Sequence, residues 1–307
     1  MKKDLLISHV DLDGISPNIL MNLTGRKYDA YNIDIKDIDE TFDTIFKDES
    51  YEKYEHIYIC DLTLTKHAIS LIDKLDNIKL FDHHESGLFV NEYKFATVKI
   101  DINGIQTCGT ELFYLYLKDI YKNLNTKSIS EYVRLVRELD TYNFTDDTAK
   151  YLDSLRSAYG KDKFIKLMTS RLKRNSDVFK FSSFENRLIK IKEDEKERYL
   201  EVKDKQMKKY EIDTHKVGIV YAERHKSELG NYLSNKYPEL DFIIIIDVSS
   251  GISYRTSRDD QDVSVFAQTH SGGGHKKASG SPITDEMRDY FTKYYFNNAK
   301  ELEDNNI

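Results

Sequence analysis

The chain is poor in cysteine: the two it has in 307 residues, Cys60 and Cys108, cannot form a disulfide framework. Cys60 lies within an apolar run and reads as a small core side chain. Long apolar runs are missing too. No stretch approaches the roughly 18 residues of a membrane span, so no membrane association is expected. Met1-Lys2-Lys3-Asp4-Leu5 enters a short apolar run and then polar residues, which is not the pattern of a secretory signal. A cytoplasmic protein is expected. Proline is scarce, with three residues, beside abundant Lys, Ile, Asn and Tyr; this is the composition of an AT-rich genome and carries no functional signal. There is no basic excess either: 46 Lys and Arg stand against 53 Asp and Glu, a net charge of -7. A protein that grips long duplexes by phosphate contacts alone would be basic. Short or single-stranded nucleic acid remains open, because bound cations and a local basic patch can reverse the field where it matters. What is present, 32% charged residues and a mean hydropathy of -0.61, describes a globular chain long enough for two domains.

Three apolar segments in the first third each run into metal-binding side chains. Leu5-Leu6-Ile7 leads to His9-Val10-Asp11-Leu12-Asp13-Gly14, Ile57-Tyr58-Ile59 to Asp61, and Ile78-Lys79-Leu80-Phe81 to Asp82-His83-His84. Such short runs read as buried strands of a mostly parallel sheet, and ligands of open α/β sheets bind at the carboxyl ends of the strands. Up to seven carboxylates and imidazoles would then converge, which is unfavourable unless cations neutralise them. A pair of divalent metal ions resolves the conflict. Oxygen ligands mixed with imidazole suit Mn²⁺, or Mg²⁺, better than a thiolate-loving ion. In an extended segment His9, Asp11 and Asp13 would face one way, and Gly14 would permit a sharp turn into the next helix. A polar loop would account for His9-Asp11-Asp13 alone, and a strand-ending acid for Asp61 alone. Asp82-His83-His84 is a rarer sequence, and the coincidence of all of them favours a metal site.

The spacing predicts an α/β fold: an N-terminal domain with a mostly parallel sheet and helices on both faces, a helical linker, and a smaller C-terminal α/β domain, over residues 1–180, 181–212 and 213–307. Helices are expected from Ile15 to Thr24, stopping at Gly25, and from Thr65 to Leu75 with Thr63 or Thr65 as N-cap. A strand is expected from Phe95 to Asp101, then largely helix over 107–172, with Glu131–Leu139 delivering Asp140. Ser182 to Tyr210, dense in Lys and Glu without Gly or Pro, reads as one long solvated helix. Val217–Tyr221, Phe242–Val248 and Ile252–Thr256 read as strands, Glu228–Lys236 and Val263–Gln268 as helices. The Gly-rich loop Ser271-Gly272-Gly273-Gly274-His275 follows, and Asp285–Glu303 reads as a closing helix. Bare glycine backbone lets N–H groups approach an anion, and Arg255 can make a bidentate phosphate contact.

His9-Val10-Asp11-Leu12-Asp13-Gly14, Asp61, Asp82-His83-His84 and Asp140 resemble, in order, the four motifs of the DHH phosphoesterase superfamily. Ser253-Tyr254-Arg255-Thr256 and Gly272-Gly273-Gly274-His275-Lys276-Lys277-Ala278-Ser279-Gly280 resemble the DHH-associated C-terminal domain of its RecJ-like and nanoRNase members, with Thr256 and Ser279 as small-for-small departures. The resemblance covers both ends of the chain but not 145–215. It implies one metal on His9, Asp11 and Asp61, and a second on Asp13, Asp61, His83 and Asp140, with Asp61 bridging and His84 facing the phosphate.

The function expected is a two-metal phosphodiesterase, working in a cleft between two domains, that hydrolyses very short single-stranded oligonucleotides to mononucleotides. Asp61 and His84 are its catalytic candidates; Arg255, Gly272, Gly273, Gly274 and His275 are its substrate contacts. A chain of this size has no added module for tracking a long strand. Linear or cyclic dinucleotides and 3′,5′-bisphosphorylated adenosine are alternative substrates. Rivals of other kinds are a nucleotide-binding module without turnover and an inorganic pyrophosphatase; the Gly-Gly-Gly-His loop argues against the latter. Oligomeric state is left open, a homodimer included.

Overall fold

The computed structural model describes residues 2–47, 50–174 and 177–295. They form two compact units, divided between Lys192 and Glu193. The first unit holds five parallel strands: β1 (Lys3–Ser8), β2 (Tyr28–Asn32), β3 (Tyr54–Cys60), β4 (Ile78–Asp82) and β5 (Ala96–Val98), in the order β2-β1-β3-β4-β5. Helices α1 (Leu12–Thr24), α2 (Ile38–Phe46) and α3 (Lys66–Ile72) make the crossovers. Successive side chains of a strand point to opposite faces, and both faces are covered here. Leu5, Ile7, Ile57, Ile59 and Leu80 pack with α2 and α3, whereas Leu6, Tyr58, Cys60 and Phe81 enter the larger core beneath α1. That explains the near-continuous apolar runs. A two-stranded ribbon, β6 (Asp101–Ile102) and β7 (Ile105–Gln106), leads to α4 (Gly109–Ile120), α5 (Lys127–Asp140), α6 (Thr148–Tyr159) and α7 (Lys161–Arg174).

Helix α8 (Ser183–Gln206) starts on a capping box: Glu185 N–H donates to Ser182 Oγ at 3.3 Å and Ser182 N–H to Glu185 Oε2 at 2.7 Å. It is shorter than the sequence implied. Lys208–Ile212 is not helical but strand β8, paired antiparallel with β9 (His215–Tyr221). An exposed edge strand needs no apolar side, so its Lys-Lys-Tyr-Glu reads as more charged helix. The second unit adds α9 (Lys226–Lys236), β10 (Phe242–Asp247), β11 (Gly251–Arg255), α10 (Val263–Gln268), β12 (Gly273–His275), β13 (Ala278–Ser281) and α11 (Asp285–Tyr295). Its six-stranded sheet runs β12-β13-β11-β10-β9-β8, with only β9 and β10 parallel. Residues 296–303, expected to continue the closing helix, lie outside the described residues. Among the described residues no helix is long and apolar enough to cross a membrane.

One expectation at the start of the chain is corrected. The segment after β1 is not extended through Asp13. Asp11 is the N-cap of α1, its carboxylate accepting from Gly14 N–H at 2.9 Å, and Asp13 lies in the first helical turn. An Asp three residues before an amide that needs a partner satisfies the helix end better than an extended strand would. Gly14 keeps an ordinary helical backbone. Its lack of a side chain is required by space instead: a Cβ there would lie 2.3 Å from the carbonyl carbon and oxygen of His9. Gly14→Ala should therefore cost at least about 1–3 kcal/mol, read as a lower melting midpoint in chelator. An unchanged midpoint would show that the His9 backbone yields freely.

Candidate metal centre

The carboxyl ends of β1, β3 and β4, the first turn of α1 and the last residue of α5 meet at one point. Three overlapping groups of potential ligand atoms result: His9, Asp11 and Asp61; Asp13, His83 and Asp140; and Asp61, Asp82, His83 and His84, each group lying within 4.8 Å. His9 Nδ1 is 3.1 Å from Asp11 Oδ2 and 3.6 Å from Asp61 Oδ2. His83 Nε2 is 3.3 Å from both Asp61 Oδ1 and Asp140 Oδ2, and 3.9 Å from Asp13 Oδ2. One oxygen of Asp61 thus faces the first group and the other faces the second.

Asp61 follows β3 with φ at 57°, in the left-handed region, where Asp is better tolerated than most residues. Its amide donates to Phe81 carbonyl at 2.9 Å, and α4 presses close: a Cβ on Gly109 would fall 2.9 Å from Asp61 N and Cβ. Asp13 is gripped by the same helix. Gly109 N–H donates to Asp13 Oδ2 at 2.7 Å and Thr110 N–H to Oδ1 at 2.9 Å, while Thr110 Oγ donates to the Asp13 carbonyl at 2.6 Å. A helix N-terminus is a favourable place for a carboxylate.

Asp82 is fully buried and acts on its neighbours. Its Oδ1 accepts from His83 N–H at 2.8 Å and lies 2.7 Å from His84 Nδ1; its Oδ2 accepts from Thr63 Oγ at 2.9 Å. Gly87 leaves room for it, since a Cβ there would sit 2.5 Å from Asp82 Oδ2. The proton of His84 is thereby held on Nδ1, and Nε2 is left for other work. Of the two N-cap candidates, Thr65 caps α3 through Ala68 N–H, and Thr63 serves Asp82 instead.

The six residues expected as ligands, His9, Asp11, Asp13, Asp61, His83 and Asp140, are all brought together here. The supports were not read from the sequence: Thr63, Asp82 as orienting group, Gly87, and the Gly109-Thr110 amides. Thr63 and Gly87 carry no periodic signal, and Gly109 lies 96 residues from the carboxylate it holds. A Cys-Gly-Thr step opening a helix was the one available cue.

Burial and the Asp13 charge push Asp61 well above the usual carboxylate range. The same two causes, partly offset by His83, lift Asp140 to about 8. The hydrogen bond to Asp11, then that to Asp61, raises His9 to about 10 against burial. Asp82 raises His84. Burial opposes ionisation of Asp11 and Asp82, but their histidine partners outweigh it and hold both low. Asp61 Oδ2, His83 Nε2 and Asp140 Oδ2 are buried without any hydrogen-bond partner, each a cost of about 1–3 kcal/mol. Clustered carboxylates, imidazole nitrogens and orphaned buried oxygen and nitrogen atoms are what a divalent cation takes as ligands once the imidazoles release their protons to it, so these residues fit one.

In the second unit the expected glycine loop is a hairpin. Gly272 and Gly274 are demanded by packing, since a Cβ would fall 2.1 Å from Gly280 carbonyl oxygen and 2.7 Å from Ser279 Cα, whereas Gly273 has nothing within 4 Å. Arg255 pairs with Ala278, which pairs with His275. Residues directly opposite share a face, so Arg255 and His275 flank Ala278 on one side, roughly 10 Å apart at two strand spacings. Ser253, Gly280 and Gly273 form the next row, giving a floor of small residues. Arg255 Nη1 donates to the carbonyls of Tyr254 at 2.9 Å and Ser279 at 3.2 Å. A neighbouring open cavity of about 350 Å³ is lined by Lys226, Ser250–Ser253 and Gly280–Pro282.

No family model matches the chain. It is 32% identical over 302 residues to oligoribonuclease NrnB of Bacillus subtilis (strain 168), covering 95% of this chain and 75% of that protein. It is 24% identical over 334 residues to a 3′,5′-cyclic-nucleotide phosphodiesterase of Helicobacter pylori (strain ATCC 700392 / 26695), covering 93% and 94%. Among solved structures, exonuclease RecJ bound to manganese superposes with a TM-score of 0.53 at 13% identity, over 97% of this chain and 91% of that one. With its parallel sheet, second smaller sheet and clustered aspartates and histidines, the chain belongs to the DHH phosphoesterase superfamily.

The ionisation pattern predicts how metal-free stability depends on pH. A group with a raised folded-state pKa contributes stability below its unfolded value and loses it as pH rises through the folded value. For Asp140 that window runs from about 4 to about 8. The raised values of Asp61, His9 and His84 act in the same direction. In chelator the melting midpoint should fall from pH 5 to pH 9; with saturating Mn²⁺ the fall should flatten, because metal binds the deprotonated ligands. A chelated protein that grows more stable across this range would contradict the charge conflict.

Proposed function

We propose that the protein is a two-metal phosphodiesterase that hydrolyses very short single-stranded oligonucleotides to mononucleotides. The observation that carries this reading is the set of three orphaned buried ligand atoms on Asp61, His83 and Asp140, with one Asp61 oxygen facing His9 and the other facing His83. His9, Asp11 and Asp61 hold one ion; Asp13, Asp61, His83 and Asp140 hold the other. Two divalent ions, manganese or alternatively magnesium, supply charge neutralisation for the phosphoryl oxygens and lower the pKa of water beside them.

The protein's own groups do the rest. Asp61 fixes the separation of the two ligand groups by giving each one oxygen. The α4 amides keep the Asp13 carboxylate in place. His84 keeps one proton on Nδ1 toward Asp82, and because Asp82 favours the charged ring it can carry a second on Nε2, which it then donates to the phosphoryl oxygens or the leaving oxygen. Arg255 and His275, across the small-residue floor, take the nucleotide next to the scissile phosphate, and the open Gly273 offers bare backbone to it. The relation to NrnB supports the oligonucleotide class. The relation to a cyclic-nucleotide phosphodiesterase makes cyclic substrates the necessary comparison. The deciding experiment is a Mn²⁺-supplemented digest of oligonucleotides two to about twenty long, with cyclic mono- and dinucleotides, 3′,5′-bisphosphorylated adenosine and pyrophosphate alongside. Turnover greatest on two- to four-nucleotide RNA is expected; turnover confined to cyclic nucleotides or pyrophosphate refutes the reading.

Asp61→Ala should abolish turnover at any Mn²⁺ concentration, since both ligand groups lose an oxygen. The adjacent histidines should fail differently. His83→Ala should weaken metal binding and recover in part with excess Mn²⁺, whereas His84→Ala should keep both ions in calorimetry and lose about 10²-fold or more in kcat. The reverse pattern of metal loss would exchange their roles.

Arg255→Ala and His275→Ala should leave metal binding intact and still lower dinucleotide kcat/KM steeply, because a short substrate has few other contacts to position it. Hydrolysis of bis-p-nitrophenyl phosphate, which has no nucleoside to hold, should change little. Equal losses on both substrates would place these residues in support of the metal site, and full dinucleotide activity in the double variant would remove them from binding.

A further inference from the structure

Charge is segregated along this acidic chain. Residues 161–192 contain ten Lys and Arg against three Asp and Glu, while the remainder carries 36 against 50. The excess gathers on one side of α7. Phe164, Met168 and Leu172 bury one face of that helix, while Lys166, Lys173 and Arg174 are exposed on it. A groove of about 500 Å³ runs there, lined by Asn22, Lys166, Thr169, Ser170, Lys173 and Arg174. A second, of about 350 Å³, shares Arg174 and continues over Arg171, Lys180, Phe181 and Ser182. Among the described residues no carboxylate lines either groove.

The second groove has a built floor. Arg171 is paired with the buried Glu185 and lies over the rings of Phe179 and Phe181, 5.5 and 5.9 Å from their centroids. Its charge is spent on structure, and it fixes the half-buried Phe181 beside the exposed Lys180. Phe184, 61% exposed, follows at the start of α8. Lys166 and Lys173 have no carboxylate partner among the described residues, and Arg174 donates to Ser170 on its own helix. Cations in a last helical turn answer the helix dipole, which accounts for Lys173 and Arg174 but not for Lys166 or Lys180. Like charges held together in this way cost stability. A groove that carries Lys166, Lys173 and Lys180 without carboxylate partners among the described residues, with hydroxyls and aromatic rings beside them, is the combination that holds single-stranded nucleic acid, with phosphates on the cations and bases stacked on the rings.

We infer that the α7 face, with Lys166, Lys173, Arg174 and Lys180 as phosphate contacts and Phe181 and Phe184 as stacking faces, binds single-stranded RNA outside the reaction centre. Asn22, which borders the groove, lies nine residues beyond Asp13 on α1, about 14 Å along the helix axis. A strand lodged there is therefore not at the metal ligands. The inference takes only its choice of polyanion from the proposed substrate class. It adds that affinity for longer strands and turnover of dinucleotides reside on different surfaces.

The test measures binding of a fluorescein-labelled phosphorothioate RNA twelve nucleotides long to the full chain in Mn²⁺, across a salt series, beside turnover of a natural dinucleotide. The triple variant Lys166→Gln, Lys173→Gln, Arg174→Gln should bind at least about tenfold more weakly at moderate salt. The slope of log affinity against log salt should shrink by about 2, three contacts at about 0.7 each. Phe184→Ala should weaken binding without changing the slope. Dinucleotide turnover and melting midpoint should stay at wild-type values in both variants. Unchanged RNA affinity and slope in the triple variant overturns the inference. So does a parallel loss of dinucleotide turnover, which would place the face in the reaction centre, and so does a loss confined to phosphatidylglycerol vesicles with RNA binding intact. If the wild-type chain cleaves no dinucleotide, the proposed function fails, and the binding comparison still decides this question.

Discussion

Five aspartates and three histidines share one end of a parallel sheet, and their mutual repulsion is the constraint around which the first unit is organised. Burial makes the conflict worse by weakening the screening of each charge. The fold does not remove it but contains it. Asp11 is spent on capping α1, Asp13 is clamped by the amides that open α4, and Asp82 is tied to Thr63 and His84. What remains unsatisfied falls on Asp61 and His83, the residues that the ligand groups share, and on Asp140 beside His83. The supporting bonds give the cluster a fixed shape before any cation arrives, which favours selectivity for ions of the right size over mere attraction of positive charge.

The convergence itself was legible in the sequence because it depends on strand ends. Apolar runs identify β1, β3 and β4, and the crossover rule places their carboxyl ends together. Asp140 was legible as the end of a strongly periodic helix, and it is the last residue of α5. The local path of the chain was less so. Alternation placed Asp11 and Asp13 on an extended segment, yet the Asp-x-x-Gly step is also a helix start, and the unsatisfied amides of α1 decide between the two. The strands left unread share one property: each lies at or near a sheet edge. β2 (Tyr28–Asn32) and β8 (Lys208–Ile212) have mostly exposed or half-buried residues, and β12 and β13 are glycine, serine and alanine apart from His275. Hydrophobic pattern reports burial, and these strands are held by backbone pairing instead.

In the second unit the glycine motif takes a form that the sequence did not suggest. The glycines were read as a bare loop for an anion, but Gly272 and Gly274 are small because β13 lies against them. The hairpin they permit brings His275 level with Arg255 across Ala278. The glycines therefore act at one remove, by setting the register of two side chains that the sequence keeps 20 positions apart. Register of this kind is fixed by backbone pairing and is invisible to composition.

The left-handed backbone at Asp61 also limits what substitution can do at that position. Asparagine is the natural occupant of the same conformation but brings no charge, while glutamate brings the charge but pays for the backbone and places its oxygens a methylene farther out. Shape and charge are both met by a single amino acid, so no conservative neighbour exists at the residue whose two oxygens face His9 and His83. A lineage that loses Asp61 cannot drift back through a partly working intermediate of similar chemistry. The pressure of change falls instead on residues that touch the cluster from outside, such as Thr63 and Gly87, where a small step alters the orientation of His84 without emptying the centre.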